Sequence, residues 1–380
     1  MGMFLKAGSI FVMGITGMTS EYELKIIMSV LLGMVLLYTA LGGMVSVVVL
    51  DYIQFVVLSF ALLATSVLAI RYLGWHNIIE TTRALQGEAG FNPFHSEGFG
   101  TSYVVWMFFL GLVNCAIWQT AVIRACSADS IRTVKRLYTF ASVGFLIRFL
   151  IPYFFGICAL VFIAQNESLK SVFLPEGAKA ASDVTLMAMP VFLSQILPAG
   201  LIGIISAGML AAFMSTHDSY LLCWSSVLTQ DVVAPWFKKG LSSKARLLLT
   251  RIFIVAIGIF ILVWGLWYDL GQDLWDYMAI SGAIYFTGAI ALLVFGIYWK
   301  RASKVGAYLA LICGFGALSG LKPVQALLGM DVSSAIVGLT VIALAIVLMV
   351  VGSLVFPDPP PRLASEDAGA GRGRAPERKE

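Results

Sequence analysis

The sequence predicts an all-α polytopic membrane protein. Three observations predict it: an excess of apolar residues, the division of that excess into blocks of membrane-spanning length, and an uneven placement of Lys and Arg between the blocks. Apolar residues make up 59% and charged residues 12% of the 380, with a mean hydropathy of +0.91. Soluble domains hold roughly 45–50% and about 25%, and a soluble core cannot absorb the surplus. Stretches of about 17 to 25 residues almost free of charge recur, the length an α-helix needs to cross about 30 Å of hydrocarbon. Hydrocarbon offers the backbone no hydrogen-bond partner, so spanning segments are helices or closed barrels, and these blocks lack the alternation of a barrel strand.

About ten spans are expected, at 1–18, 24–45, 46–70, 103–125, 139–164, 193–222, 249–268, 277–298, 303–320 and 332–355. The first opens at Met1 inside an apolar block, with no loop and no basic signal-peptide region before it, so the chain reads as cut at its front. The segment 71–100, with Gly-Glu, Asn-Pro and clustered glycines, reads as a polar loop. So does 165–192, where a short amphipathic helix is expected. The tail 357–380 is Pro, Gly and charge, with nothing to bury, and is expected to be a disordered extension of a transporter domain spanning 1–356.

Seventeen Lys and Arg fall in alternate loops and the tail (124–136, 238–251, 300–304 and beyond 357), against six on the opposite side. The positive-inside rule puts the richer side and the C-terminus in the cytoplasm, with the protein in the plasma or inner membrane. The net charge of +4 is then a mark of orientation, and no basic stripe points to nucleic acid. Five cysteines without CxxC spacing and three scattered histidines indicate no disulfide framework and no zinc site. No organic cofactor is expected.

Lys6, Asp51, Arg148 and Asp218 lie more than three residues inside expected spans. Each costs at least a few kcal/mol in mid-membrane, so burial against protein, or function, is the expectation. Asp51 and Lys6 lie nearer helix ends, where capping or snorkelling is the alternative. Between Leu197 and Ser219 small residues recur. On a helix Ser215 and Thr216 stand at i+3 and i+4 from Ala212, so two hydroxyls share a face with that residue's carbonyl. Three converging oxygens suit a hard monovalent cation, and transporter folds complete such sites with carbonyls of a broken partner helix. The alternative is that both hydroxyls bond back to their own helix.

The run LPAGLIGIISAGMLAAFMSTHDSYLLCWSSVLTQDVV (197–233) resembles the signature helix of the sodium/solute symporter family. In the family's order, Tyr38–Gln54 is similar to its Y-T-x-x-G-G-x-x-A-V-x-x-T-D-x-x-Q segment, with Ser46 for the alanine and Leu50 for the threonine. Trp118–Asp129 is similar to N-Q-x-x-x-Q-R-x-x-A-x-D, and Trp299–Ala307 to W-K-R-x-x-x-x-G-A. The resemblance implies a five-plus-five inverted-repeat core lacking its first two helices, with Na⁺ as the coupling ion and Ala212, Ser215 and Thr216 among its ligands. It implies that Asp51 is an acid tied to sodium affinity or exit, and that Trp118 and Gln119 lie in the solute pocket. Arg148 falls where a sugar-carrying relative has a solute-contacting lysine, and a guanidinium there suits a carboxylate. A structural ion pair, with Asp218 or an acid on a missing helix, is its alternative role.

The expected function is Na⁺-coupled symport of a small organic solute, with a preference for an anionic one, across a lipid bilayer. Trp118 in place of the family's Asn argues against importing sugar specificity. A membrane-embedded enzyme is disfavoured, because the close pair His217–Asp218 is adjacent on a helix and points about 100° apart. A non-transporting fragment or sensor of the same family is the other reading.

Overall fold

The computed structural model describes residues 1–96, 100–175, 180–237, 240–268 and 274–359. Among them every regular element is helical. Helix α1 (Gly2–Thr16) stops at Gly17, whose φ of 75° is the left-handed cap that closes a helix C-terminus. Helix α2 (Glu21–Leu73) opens with a capping box, in which Glu23 accepts from the Ser20 backbone N–H and Ser20 accepts from Tyr22. Its 53 residues break at Gly43 (φ 62°, ψ −156°) into the spans Glu21–Val45 and Val47–Leu73. The break strips carbonyls of their helical donors. Ala40's is recovered by Arg251, whose Nε donates to it at 2.9 Å.

Helix α3 (Trp75–Gln86) stands where a polar loop was expected; its Ile78 and Thr82 are buried while most of its length is polar. Helices α4 (Gly100–Ile117) and α5 (Gln119–Cys126) form one span interrupted at Trp118, which is extended (φ −65°, ψ 108°). Helix α6 (Ile131–Ala164) is capped by Ser130, which accepts from Thr133, and contains Pro152. From 165 to 196 the structure has two helices, α7 (Glu167–Phe173) and α8 (Ser182–Ile196). Helix α9 (Ala199–Val227) starts after Pro198 and runs on as a π turn to Val233. Helix α10 (Ser243–Trp267) is capped by Ser242. Helices α11 (Leu274–Tyr298) and α12 (Lys304–Gly314) follow. Helix α13 (Lys322–Leu328) lies 88° from the helical stretch Lys304–Gly320, and α14 (Ser334–Val355) comes last.

Eight described helices are long and apolar enough to cross a membrane, or nine if the bent pair counts as one span. Ten were expected. The shortfall beyond the bent pair is α1, because 15 residues at about 1.5 Å each fall short of the hydrocarbon thickness. Lys179, Lys238, Lys239 and the tail from 360 onward, which carry part of the orientation argument and of the expected disorder, lie outside the described residues.

Contacts divide the chain into two compact units, Met1–Ala279 and Ile280–Glu380. In the first, the two halves of α2 serve two cores. The first half packs Met28, Leu32 and Val35 with Leu5 of α1, Phe213 and Leu221 of α9, and Ile254 and Ile261 of α10. The second half packs Ala61 and Leu62 with Phe11 of α1, Phe155 and Phe162 of α6, Phe192 of α8 and Ile205 of α9. Lys6, buried on α1, pairs with Asp183 at the start of α8 at 3.0 Å. In the second unit α12 lies against α14. A Cβ on Gly352 would meet the Cα of Gly306 at 2.9 Å, so the two glycines set the approach. Asp358, just past α14, accepts from the Lys304 backbone N–H at 3.0 Å and caps α12.

Candidate ion and solute site

Helix α9 presents the three oxygens that the sequence spacing brings together. Ser215 Oγ donates to the Ala212 carbonyl at 3.2 Å and Thr216 Oγ1 donates to the same oxygen at 2.9 Å. Both are half-buried. The back-bonded arrangement and the ligand arrangement share these oxygen positions, because a hydroxyl that turns its proton toward a carbonyl leaves its lone pairs free for a cation. Three oxygens from one helix are fewer than the five or six of a full sodium shell.

One turn further along, α9 carries a polar knot. Asp218 is fully buried and accepts from the Tyr38 hydroxyl of α2 at 2.7 Å. Ser219 Oγ donates to the Ser215 carbonyl at 2.7 Å and lies 3.2 Å from Asp218 Oδ1. Arg124, near the end of α5, donates to Ser219 Oγ at 2.6 Å and forms an ion pair with Asp51 of α2. Asp51 sits in the first turns after the Gly43 break, and its other carboxylate oxygen, Oδ1, is buried with no hydrogen-bond partner among the described residues. The capping alternative for Asp51 gives way to a tertiary ion pair joining two helices.

The expected solute residues divide. Trp118 packs on α9, its indole Nε1 donating to the Tyr220 hydroxyl at 2.9 Å, with ring centroids 6.2 Å apart. Gln119 opens α5 directly after the break. Arg148 is exposed on α6, its guanidinium 5.9 Å over the Phe145 ring. Asp218, offered as its partner in the structural alternative, accepts from Tyr38 instead, with Ser219 Oγ 3.2 Å away. Tyr38, Arg124 and Ser219 were not singled out from the sequence. Tyr38 and Arg124 stand inside the stretches that resemble the family's motifs, and Ser219 is i+4 from Ser215, so each had a signal of position though none of partner.

The model of the sodium:solute symporter family matches residues 3–314. The chain belongs to the sodium:solute symporter family. Among curated relatives, the sodium/sialic acid symporter SiaT of Proteus mirabilis is 27% identical over 289 residues, which are 73% of this chain and 55% of the relative. The human sodium/myo-inositol cotransporter is 24% identical over 354 residues, 82% of this chain and 47% of the relative. The sodium/proline symporter of Haemophilus influenzae is 25% identical over 295 residues, 73% and 53%. The chain spans about half the length of the curated relatives it matches. In fold it is similar to a solved structure described as the substrate-bound outward-open state of a Na⁺-coupled sialic acid symporter. The TM-score is 0.70 at 21% identity, covering 95% of this chain and 74% of that one. As a symporter-family member with eight apolar helices of spanning length, the chain is a multi-pass membrane protein.

Proposed function

We propose that this chain binds Na⁺ through the Ala212 carbonyl and the Ser215 and Thr216 hydroxyls, and couples that binding to movement of a small organic solute by alternating access. The observation that carries the reading is the convergence of both hydroxyls on one α9 carbonyl, at 3.2 and 2.9 Å, in a member of this family. Neutral dipoles replace part of the ion's water shell without trapping it as a fixed carboxylate would, and a shell of about six oxygens needs further donors from a broken helix. Asp51, anchored to Arg124 and through it to Ser219 one turn beyond Ser215, is the acid on the ion's path.

The solute pocket is proposed around the break at Trp118 and Gln119, with Arg148 of α6 as a further candidate. Arg148 carries a fixed positive charge and a planar fork of donors suited to a carboxylate, with the Phe145 ring beneath it and the Asp51 charge within electrostatic range. An anionic solute is preferred on that ground. Sialic acid, proline and myo-inositol, the solutes named for the relatives, form the first test panel. The first two carry carboxylates and the third does not.

A second reading is a member of the family that binds the ion without transporting. Reconstitution into liposomes separates the two. Solute uptake that follows an imposed Na⁺ gradient and vanishes when choline replaces Na⁺ supports symport. Saturable ²²Na⁺ binding with no gradient-driven uptake of any panel member supports the binding module. No ²²Na⁺ binding removes both.

A further inference from the structure

Helix α5 is fastened to α9 at both of its ends, and to consecutive residues there. At its start Trp118 donates to Tyr220 at 2.9 Å, and near its end Arg124 donates to Ser219 at 2.6 Å. Between these ties α5 is a rod of eight residues, Gln119–Cys126, about 12 Å long. It is offset from α4 by the extended residue Trp118, whose N–H still donates to the Asn114 carbonyl at 3.0 Å, and is finished by the turn at Ser127. The break is a hinge between two short helices of one span.

Ser219 is the joint that matters for the ion. Its hydroxyl has one proton, which goes to the Ser215 carbonyl at 2.7 Å, and its lone pairs receive the Arg124 guanidinium. Donor and acceptor therefore lie in series: guanidinium, hydroxyl, carbonyl of the residue whose side chain points at Ala212. A charged donor polarises the hydroxyl and strengthens the bond beyond it. The ion pair with Asp51 holds the guanidinium in place.

We infer that Ser219 and Arg124 are positioning residues forming a relay that couples the cation-binding turn of α9 to the α5 segment carrying the solute-side residue Gln119. The inference rests on the sodium reading of Ala212, Ser215 and Thr216. A cation seated on the Ala212, Ser215 and Thr216 oxygens pulls on the same turn of α9 that holds the Ser215 carbonyl. The Ser219–Arg124 bond passes the displacement to α5. Linkage is reciprocal, so displacement of α5 by solute alters affinity for the ion by the same factor.

Cys126, exposed at the last position of α5, reports on the rod, and exposed Cys115 on α4 is the comparison across the break. The test uses the full protein in lipid nanodiscs, with ²²Na⁺ binding measured alongside maleimide alkylation resolved by peptide mass spectrometry. Na⁺ is compared with choline at equal ionic strength. Saturating Na⁺ is expected to change the Cys126 rate by about fivefold, at the low end of coupling between linked sites, in the parent and in Ser219→Thr. Ser219→Ala loses the Na⁺ effect at Cys126 even at Na⁺ concentrations that saturate its own ²²Na⁺ binding. If Ser219→Ala does not fold, Ser219→Val decides, because it has threonine's shape without the hydroxyl and must behave as the alanine does. A parent that binds ²²Na⁺ with no change at Cys126, or hydroxyl-less variants that keep the change, overturns the relay alone. A parent that binds no ²²Na⁺ overturns the relay and the sodium reading together.

Discussion

The Tyr38 hydroxyl of α2 lies 2.7 Å from the Asp218 carboxylate and 3.1 Å from the Met214 carbonyl of α9, so a single phenol bridges two successive turns of the helix that carries Ser215 and Thr216. One proton serves both contacts, and the shorter one, to the carboxylate, receives it. Asp218 is fully buried, and removing its donor leaves its side chain with the 3.2 Å approach of the Ser219 hydroxyl, whose one proton goes to the Ser215 carbonyl. Tyr38→Phe is therefore expected to cost about 1–3 kcal/mol, the usual penalty for an orphaned buried polar group. The double variant Tyr38→Phe, Asp218→Leu is expected to lose less than the two single losses added together. Thermal unfolding in detergent by intrinsic fluorescence, read as a double-mutant cycle, checks this, and strict additivity would show that the pair is not coupled.

Gly43 makes a different demand. A Cβ there meets no atom within 4 Å, so space is not the constraint, but φ 62° with ψ −156° is a region that only glycine enters readily. Gly43→Ala and Gly43→Asn are expected to be destabilising by about 1–3 kcal/mol each, since asparagine's tolerance extends to the left-handed helical region and not to this one. Arg251→Gln is expected to act at the same break by uncapping the Ala40 carbonyl. Unfolding temperatures of the three variants settle the point. An asparagine variant as stable as the parent would mean that the backbone relaxes at position 43.

What was legible in the sequence is what one helix decides by itself. The spans 24–45 and 46–70 fall on the two halves of α2, and Ser215 and Thr216 meet Ala212 because i+3 and i+4 are neighbours on any helix. The four-part motif order also carried the family, which the match over residues 3–314 shows. What escaped depends on partners far away in the chain. Arg124 reaches Ser219 across 95 positions and Tyr38 reaches Asp218 across 180. Periodicity says nothing about such pairs, so Arg124 entered the reading as a loop cation on the positive side and as a position of the Trp118–Asp129 motif, with no partner. The break at Trp118 was unmarked because neither glycine nor proline stands beside it. Helix α3 escaped because 71–100 is too polar to span, which does not prevent a surface helix with Ile78 and Thr82 turned inward.

Within the second unit, Gly306 on α12 faces α14 so closely that a Cβ would lie 2.6 Å from the Met349 carbonyl oxygen and 3.0 Å from the Ser353 nitrogen. Both are backbone atoms of a helix and cannot swing aside. Gly306→Ala is expected to push the helices apart and to cost about 1–3 kcal/mol, despite alanine's better helix propensity. Gly296→Ala on α11, where nothing lies within 4 Å, is expected to be neutral or slightly stabilising. Comparing their unfolding temperatures separates crowding from propensity, and equal effects would mean that α12 and α14 are not in close contact.

The sodium reading is exposed most directly at Thr216. Its hydroxyl makes one described bond, back to the Ala212 carbonyl at 2.9 Å, and a hydroxyl bonded to its own helix contributes little to that helix's stability. Thr216→Ala therefore removes one of the three oxygens while leaving the fold and the amount of protein in the membrane close to those of the parent. If that oxygen binds the ion, the Na⁺ concentration for half-maximal ²²Na⁺ binding or uptake should rise by roughly tenfold or more, the effect of losing about 1.4 kcal/mol. Thr216→Ser keeps the oxygen and should stay within a few-fold of the parent. Ser215 is the less clean probe, because its carbonyl also holds Ser219 and, through it, Arg124. Equal Na⁺ dependence of parent, alanine and serine variants at matched abundance would leave the two hydroxyls as ordinary back-bonded groups and return the ion site to unassigned residues.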